Sequence, residues 1–204
     1  MLSLPCASFI VFMNLINKCG FTMENISDWF LRIIREDEKK GIMSGWIEEK
    51  RFIFLPSMTY TIEHIIKGGS IIVLTDEKCE WFGDYIITHI NQSHKGRPFF
   101  PIVQIKYLHN MIDSNKEGSI QGFKLIKDML DMMYSNYRFW YIGKKNTRAD
   151  FAKNSGEGWF WIFDENNTFL SSTDEKLDYK LLSLFKLFDR AILEAMFNRI
   201  SLDI

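Results

Sequence analysis

The segment Gly68 to Asp76, GGSIIVLTD, constrains the fold of this chain more than any other. Two glycines end a helix, and six residues with no alternation of polar and apolar follow, the pattern of a strand buried on both faces of a parallel sheet. In open α/β sheets ligands sit just beyond the carboxyl ends of such strands, where glycine-rich loops and helix N-termini present N–H groups to a phosphate. Here that position holds Thr75, Asp76, Glu77 and Lys78. An acidic loop without glycine repels a phosphate, so the sequence reads as a ligand-binding fold without the usual ligand chemistry.

The rest of the chain continues the alternation. Asn25 is placed to cap a helix whose apolar residues Ile26, Trp29, Phe30, Ile33 and Ile34 share one face. A turn around Trp46 is expected to lead through Pro56 into a second helix carrying Met58, Ile62, Ile65 and Ile66. After the first strand, a helix presents Trp81, Phe82, Tyr85, Ile86, His89 and Ile90 on one face. Strands are expected at Pro98 to Ile105, Arg138 to Ile142 and Gly158 to Phe163, with a methionine-rich helix from a Ser119 cap to Tyr134 and a long helix from Leu177 to about Ile200. The fold class is α/β: a three-layer sandwich around a parallel sheet of four or five strands.

Composition sets the limits. With 204 residues, 47% of them hydrophobic, one domain buries roughly 70% of its unfolded surface and needs no staples. Twenty-five Lys and Arg against 26 Asp and Glu leave a formal net charge of -1, so no global field draws nucleic acid or an acidic membrane. Cys6, Cys19 and Cys79 lack metal-ligand spacing, which fits a reducing, cytoplasmic setting. The sequons at Asn25, Asn91 and Asn166 are then chance matches. Residues 1–22 differ from the rest: apolar, interrupted by Pro5, without a basic start, and too short to span a bilayer. We read 1–22 as a leader or disordered extension, Met23 as the functional start, and 23–204 as one domain.

Catalytic chemistry is thin. No G-x-S-x-G elbow and no HExxH zinc pair occur, and His89 and His94 are five apart. Glu63 and His64 are adjacent and point different ways on a helix, so His64 is expected to be a solvated histidine rather than half of a dyad. Gly156 and Gly158 precede a strand, with Trp161 where a dinucleotide fingerprint needs glycine. No catalytic residue, metal ligand or cofactor is assigned. Lys144 and Lys145 form the one basic pair at a strand's carboxyl end; they can hold an acidic partner or be solvated loop lysines. The last helix is apolar over well over half of its circumference, including Leu184, Leu187, Phe188 and Ala191. Such excess implies burial on a second side, either at a self-association interface or inside the domain.

Several longer segments carry a resemblance: SGWIEEKR (Ser44 to Arg51), KGGSIIV (Lys67 to Val73), EWFGDYI (Glu80 to Ile86), RPFFP (Arg97 to Pro101), FWYIGK (Phe139 to Lys144) and LDYKLLSLFKLFDRAI (Leu177 to Ile192). In this order they resemble the HobA family of bacterial proteins, over about Met23 to Leu202. The resemblance implies an SIS-like (flavodoxin-like) fold and a homotetramer that binds the N-terminal domain of the replication initiator DnaA and promotes its assembly at the origin, without enzymatic activity. The alternative is an SIS-type phosphosugar-binding protein or isomerase. From chemistry, Asp76, Glu77, Lys144 and Lys145 are the expected partner-binding residues, and Leu184, Leu187, Phe188 and Ala191 the expected subunit contacts.

Overall fold

The computed structural model describes residues 23–92, 97–115, 120–165 and 168–203. The expectations for residues 1–22, His94, Ser119 and Asn166 fall outside them. The elements run β1 (Glu24–Asn25), α1 (Ile26–Lys39), α2 (Gly45–Ile66), β2 (Ser70–Thr75), a 3-10 turn (Glu77–Cys79), α3 (Glu80–Ile90), β3 (Ile102–Gln104), α4 (Lys106–Ser114), α5 (Ile120–Met133), β4 (Tyr137–Lys144), α6 (Thr147–Asn154), β5 (Gly158–Phe163), α7 (Leu177–Met196) and β6 (Ile200–Ser201).

Four strands form one parallel sheet in the order β3-β2-β4-β5. Ranked along the chain this is 2-1-3-4, the flavodoxin-like order, whose switch point lies between β2 and β4. Successive residues of each strand enter different cores, as the pleat requires. Ile71, Val73, Trp140 and Ile142 pack under α1, α2, α3 and α7, whereas Ile72, Leu74, Phe139 and Tyr141 pack under α4, α5 and α6. The three layers expected from the continuous apolar strands are present.

Local chemistry explains the boundaries. Asn25 caps α1 by accepting from the Ser27 amide at 2.8 Å, and all five apolar residues read on that helix are buried. The chain also closes on itself: β1 pairs in parallel with β6, and the Asn25 side-chain amide donates to the Asp203 carbonyl at 2.7 Å. This small ladder has too little length to be seen in sequence.

Four expectations are corrected. Residues 45–66 form one helix through Pro56, not a turn followed by a helix. Pro56 faces solvent, so the Phe52 carbonyl that loses its helical donor is on the wet side of α2. The expected strand from Pro98 to Ile105 shrinks to Ile102–Gln104, because two prolines lack N–H groups and β3 is an edge strand. Helices α4 and α6 were not read from the sequence at all.

The fourth correction concerns α7. Leu184, Leu187, Phe188 and Ala191, expected to meet another subunit, are buried in the chain's own core. Phe188 packs edge-on to Trp140 and beside Trp159, and Phe185 meets Phe82 and Tyr85 edge-on. The surplus apolar surface of α7 is consumed by α2, α3 and the sheet. Phe188→Ala is therefore expected to cost about 3–5 kcal/mol, measured by denaturant unfolding, with a loss that does not change with protein concentration.

Candidate functional site

The carboxyl edge of the sheet, at the switch point, is where this fold places ligands. The strand β2 ends at Thr75, and the chain then turns so that Asp76 caps the short helix that follows. Its Oδ1 accepts from the Cys79 amide at 2.8 Å, and its Oδ2 accepts from the Lys144 amide at the end of β4 at 2.7 Å. Its own amide donates to the Ile142 carbonyl at 3.1 Å. Asp76 is only 6% exposed. A carboxylate of the chain itself thus takes the two backbone donors that a phosphate-binding loop would offer a ligand.

Gly143 makes this possible. A Cβ there would lie 2.5 Å from the Asp76 carboxyl carbon, and its φ of 144° is in the region that favours glycine. The neighbouring Tyr141 hydroxyl donates to the Lys144 carbonyl at 2.6 Å, and burial pushes its pKa up. Burial, with Asp76 beside it, likewise raises the Cys79 thiol, which stays protonated and unreactive.

Of the expected partner-binding residues, Glu77, Lys144 and Lys145 are exposed at this edge, while Asp76 is turned inward. A shallow hollow of about 190 Å³ brings Asp76, Glu77 and Lys144 together with Lys78, Asp113, Asn146 and Arg148; Lys145 does not line it. Sequence reading missed Arg148. This buried guanidinium binds Asp113 through two nitrogens, at 3.0 and 2.6 Å, and donates to the Thr75 carbonyl at 2.8 Å and to Glu80 at 3.2 Å. The readable signal was Asn146, which caps α6 by accepting from the Ala149 amide at 3.0 Å and so fixes Arg148 on the first turn.

His109 lies beside this network, its Nδ1 3.5 Å from Glu80. Burial, and then Arg148, hold its pKa below the usual range, so the ring is neutral near pH 7. His64 is buried, and burial lowers its pKa too; one ring nitrogen lies 3.2 Å from the Ser70 carbonyl. The solvated histidine expected there is corrected, and it forms no dyad. His89 is half-buried and stacks on Tyr85 at 3.8 Å. A larger hollow, about 450 Å³, lies elsewhere, between α7 and the α1–α2 corner. Among the described residues no cluster of potential metal ligands occurs, and no helix is long and apolar enough to cross a membrane.

Comparison with known proteins places this architecture. A family model described as HobA, DNA replication regulator, matches residues 23–202. The chain belongs to the HobA family. It is 30% identical over 187 residues to the DNA replication regulator protein HobA of Helicobacter pylori (strain ATCC 700392 / 26695), covering 88% of this chain and 100% of that protein. The crystal structure of a HobA-DnaA (domain I-II) complex from Helicobacter pylori matches with a TM-score of 0.65 at 30% identity, over 88% of this chain and 99% of that one. A crystal structure of HobA from the same species matches with a TM-score of 0.63 at 28% identity, over 87% and 99%. The family resemblance read from the sequence is thereby established, as is the α/β class.

The internal carboxylate predicts a specific coupling. Asp76→Ala strands the Lys144 amide and leaves the Cys79 amide only the residue 76 carbonyl at 3.2 Å, and should cost about 1–3 kcal/mol; Gly143→Ala should cost a similar amount through clash and backbone strain. In the double variant the clash with the carboxyl group disappears while that with the Cβ of residue 76, 2.7 Å away, remains, so the two losses should fall short of additive by about 0.5–1 kcal/mol in denaturant unfolding.

Proposed function

We propose that this chain is a non-enzymatic adaptor that binds the N-terminal domain of DnaA and promotes its assembly at the chromosomal replication origin. The observation that carries this reading is the likeness to a HobA solved in complex with DnaA domains I-II, over nearly all of that chain. The internal use of Asp76 supports it. The anion position of the sheet is filled from within, which argues against the alternative of a phosphosugar-binding protein or isomerase.

The proposed contact surface is the carboxyl edge, with Glu77, Lys144 and Lys145 exposed on it and Asp76 bracing the loop beneath. Both signs of charge suit a polar partner surface that gains orientation and association rate from electrostatics. We further infer a homotetramer in the cytoplasm, built from residues 23–204 as one domain, without direct contact to nucleic acid or membrane. Because Leu184, Leu187, Phe188 and Ala191 are inside the protomer, the subunit contacts must use other surfaces.

Charge reversals test the contact surface. Lys144→Glu and Lys145→Glu should each weaken DnaA N-terminal domain binding roughly five- to tenfold at low salt, and less as salt rises, with the melting temperature unchanged. Unchanged affinity would move the contact surface elsewhere. In the same preparation, phosphosugars should leave the melting temperature unshifted; a ligand at a hundred times its Kd adds about 2.7 kcal/mol, and a reproducible shift with one sugar phosphate would revive the isomerase alternative.

A further inference from the structure

The buried brace beneath the carboxyl edge contains one side chain of the kind that titrates near neutral pH. His109 lies in the first turn of α4 and is 4% exposed. Its Nδ1 is 3.5 Å from Glu80 Oε1, and its Nε2, also buried, has no hydrogen-bond partner among the described residues. That same Glu80 oxygen already accepts from Arg148 Nη1 at 3.2 Å. A neutral imidazole fits this setting, since only one of its nitrogens carries a proton. An imidazolium does not, because it brings a charge and a second donor into a site with no acceptor for it.

The surroundings decide how the site gives way. Glu80 stands against the ring from α3 and Arg148 from α6, with Asp113 on the ring's own helix. Burial and Arg148 oppose protonation; Asp113 favours it weakly, because Arg148 already binds both of its oxygens. Asp84 and Lys106 line the hollow beside the ring but neutralise each other at 2.9 Å, and the other lining residues, Gln104 of β3 and Asn110, carry no charge. A charged ring is satisfied either by drawing Glu80 off Arg148 or by admitting water to Nε2 from this hollow of about 180 Å³. Both part α4 from α3 and α6. That helix is weakly anchored against such movement: it is nine residues long, follows the short edge strand β3, and has no side-chain cap at its N-terminus.

Opening α4 reaches the contact surface through bonded atoms. Arg148 Nη1 donates both to Glu80 and to the Thr75 carbonyl, the latter at 2.8 Å. Thr75 precedes Asp76, whose carboxylate holds the Lys144 amide at 2.7 Å. Resting on the contact surface proposed above, we propose that His109 is a pH-sensitive latch: neutral, it lets α4 close the brace that holds the carboxyl edge in its binding form, and protonated, it opens α4 and releases that edge. The partner is held near neutral pH and let go in mild acid. The direction follows from burial, which with Arg148 keeps the ring's pKa below its ordinary value of about 6.5. Such a group stabilises the closed form fully above that ordinary value, and its contribution is lost as pH falls through the lowered one.

The test compares the full chain with His109→Gln, which keeps a neutral polar side chain that cannot titrate. In calorimetry with the N-terminal domain of DnaA, wild-type affinity should fall about fivefold or more between about pH 7.5 and about pH 5.5, with circular dichroism confirming that the chain stays folded. His109→Gln should match the wild type at the higher pH and lose most of that fall; titration of the partner's own groups is common to both. His64→Gln, which removes the other buried histidine, should keep the wild-type fall. Affinity that falls equally in the wild type and His109→Gln, or in neither, overturns the proposal, as does a fall abolished by His64→Gln. Where His109→Gln does not fold, a nuclear magnetic resonance titration of the wild type decides: the His109 ring and the Thr75, Asp76 and Lys144 amides should shift with one midpoint below about pH 6.5, and shifts confined to α4 overturn the latch. A wild-type chain that does not bind DnaA at either pH defeats the function proposed above, and the same amide titration then judges the latch alone.

Discussion

The two hydrogen bonds accepted by the Asp76 carboxylate, from the Cys79 and Lys144 amides, hold together what this fold normally leaves open. In a flavodoxin-like sheet the switch point between the first and third strands is a crevice with unsatisfied donors, and ligands collect there because those donors need acceptors. Here the acceptor is covalently part of the chain. Its effective concentration is that of an intramolecular group, and a buried amide satisfied in place gains little from an exogenous anion. Gly143, with no Cβ and φ of 144°, is the concession the backbone makes to let the carboxylate in.

Around that junction the charges are arranged as a brace. Arg148 ties Asp113, Glu80 and the Thr75 carbonyl, so α3, α4, α6 and the end of β2 meet at one buried cation. Buried charges of this kind demand full pairing, which Arg148 obtains through all three of its guanidinium nitrogens. What remains outward is a rim of short-range charge, Glu77, Lys144 and Lys145, on a rigid support. On the function proposed above, this rigid, charged edge is the surface that meets a protein partner, in a family described as DNA replication regulators.

Much of this was legible in sequence, and the failures have physical causes. The five-residue stripe of α1 and the runs SIIVLT and RFWYI announce themselves because each is a strong local period or a continuous apolar block. Helices α4 and α6, nine and eight residues long, hold too few turns to show a period. RPFFPIVQI was overread because apolarity was weighed above two missing N–H groups. The breadth of the apolar surface on α7 was visible, but not what covers it: the Trp140, Trp159 and Phe188 cluster joins elements far apart in the chain. The inward turn of Asp76 was hidden for the same reason, since one of its donors lies 68 residues away. An acid in the loop could be read; which way it points could not.

The central claim is that a sheet edge closed from within serves a protein partner. It is tested most directly by titrating the purified chain with the N-terminal domain of DnaA in a calorimeter. The account predicts saturable binding of more than one DnaA domain to each assembly, with an affinity that falls as salt rises. No heat and no complex at any salt concentration would contradict it.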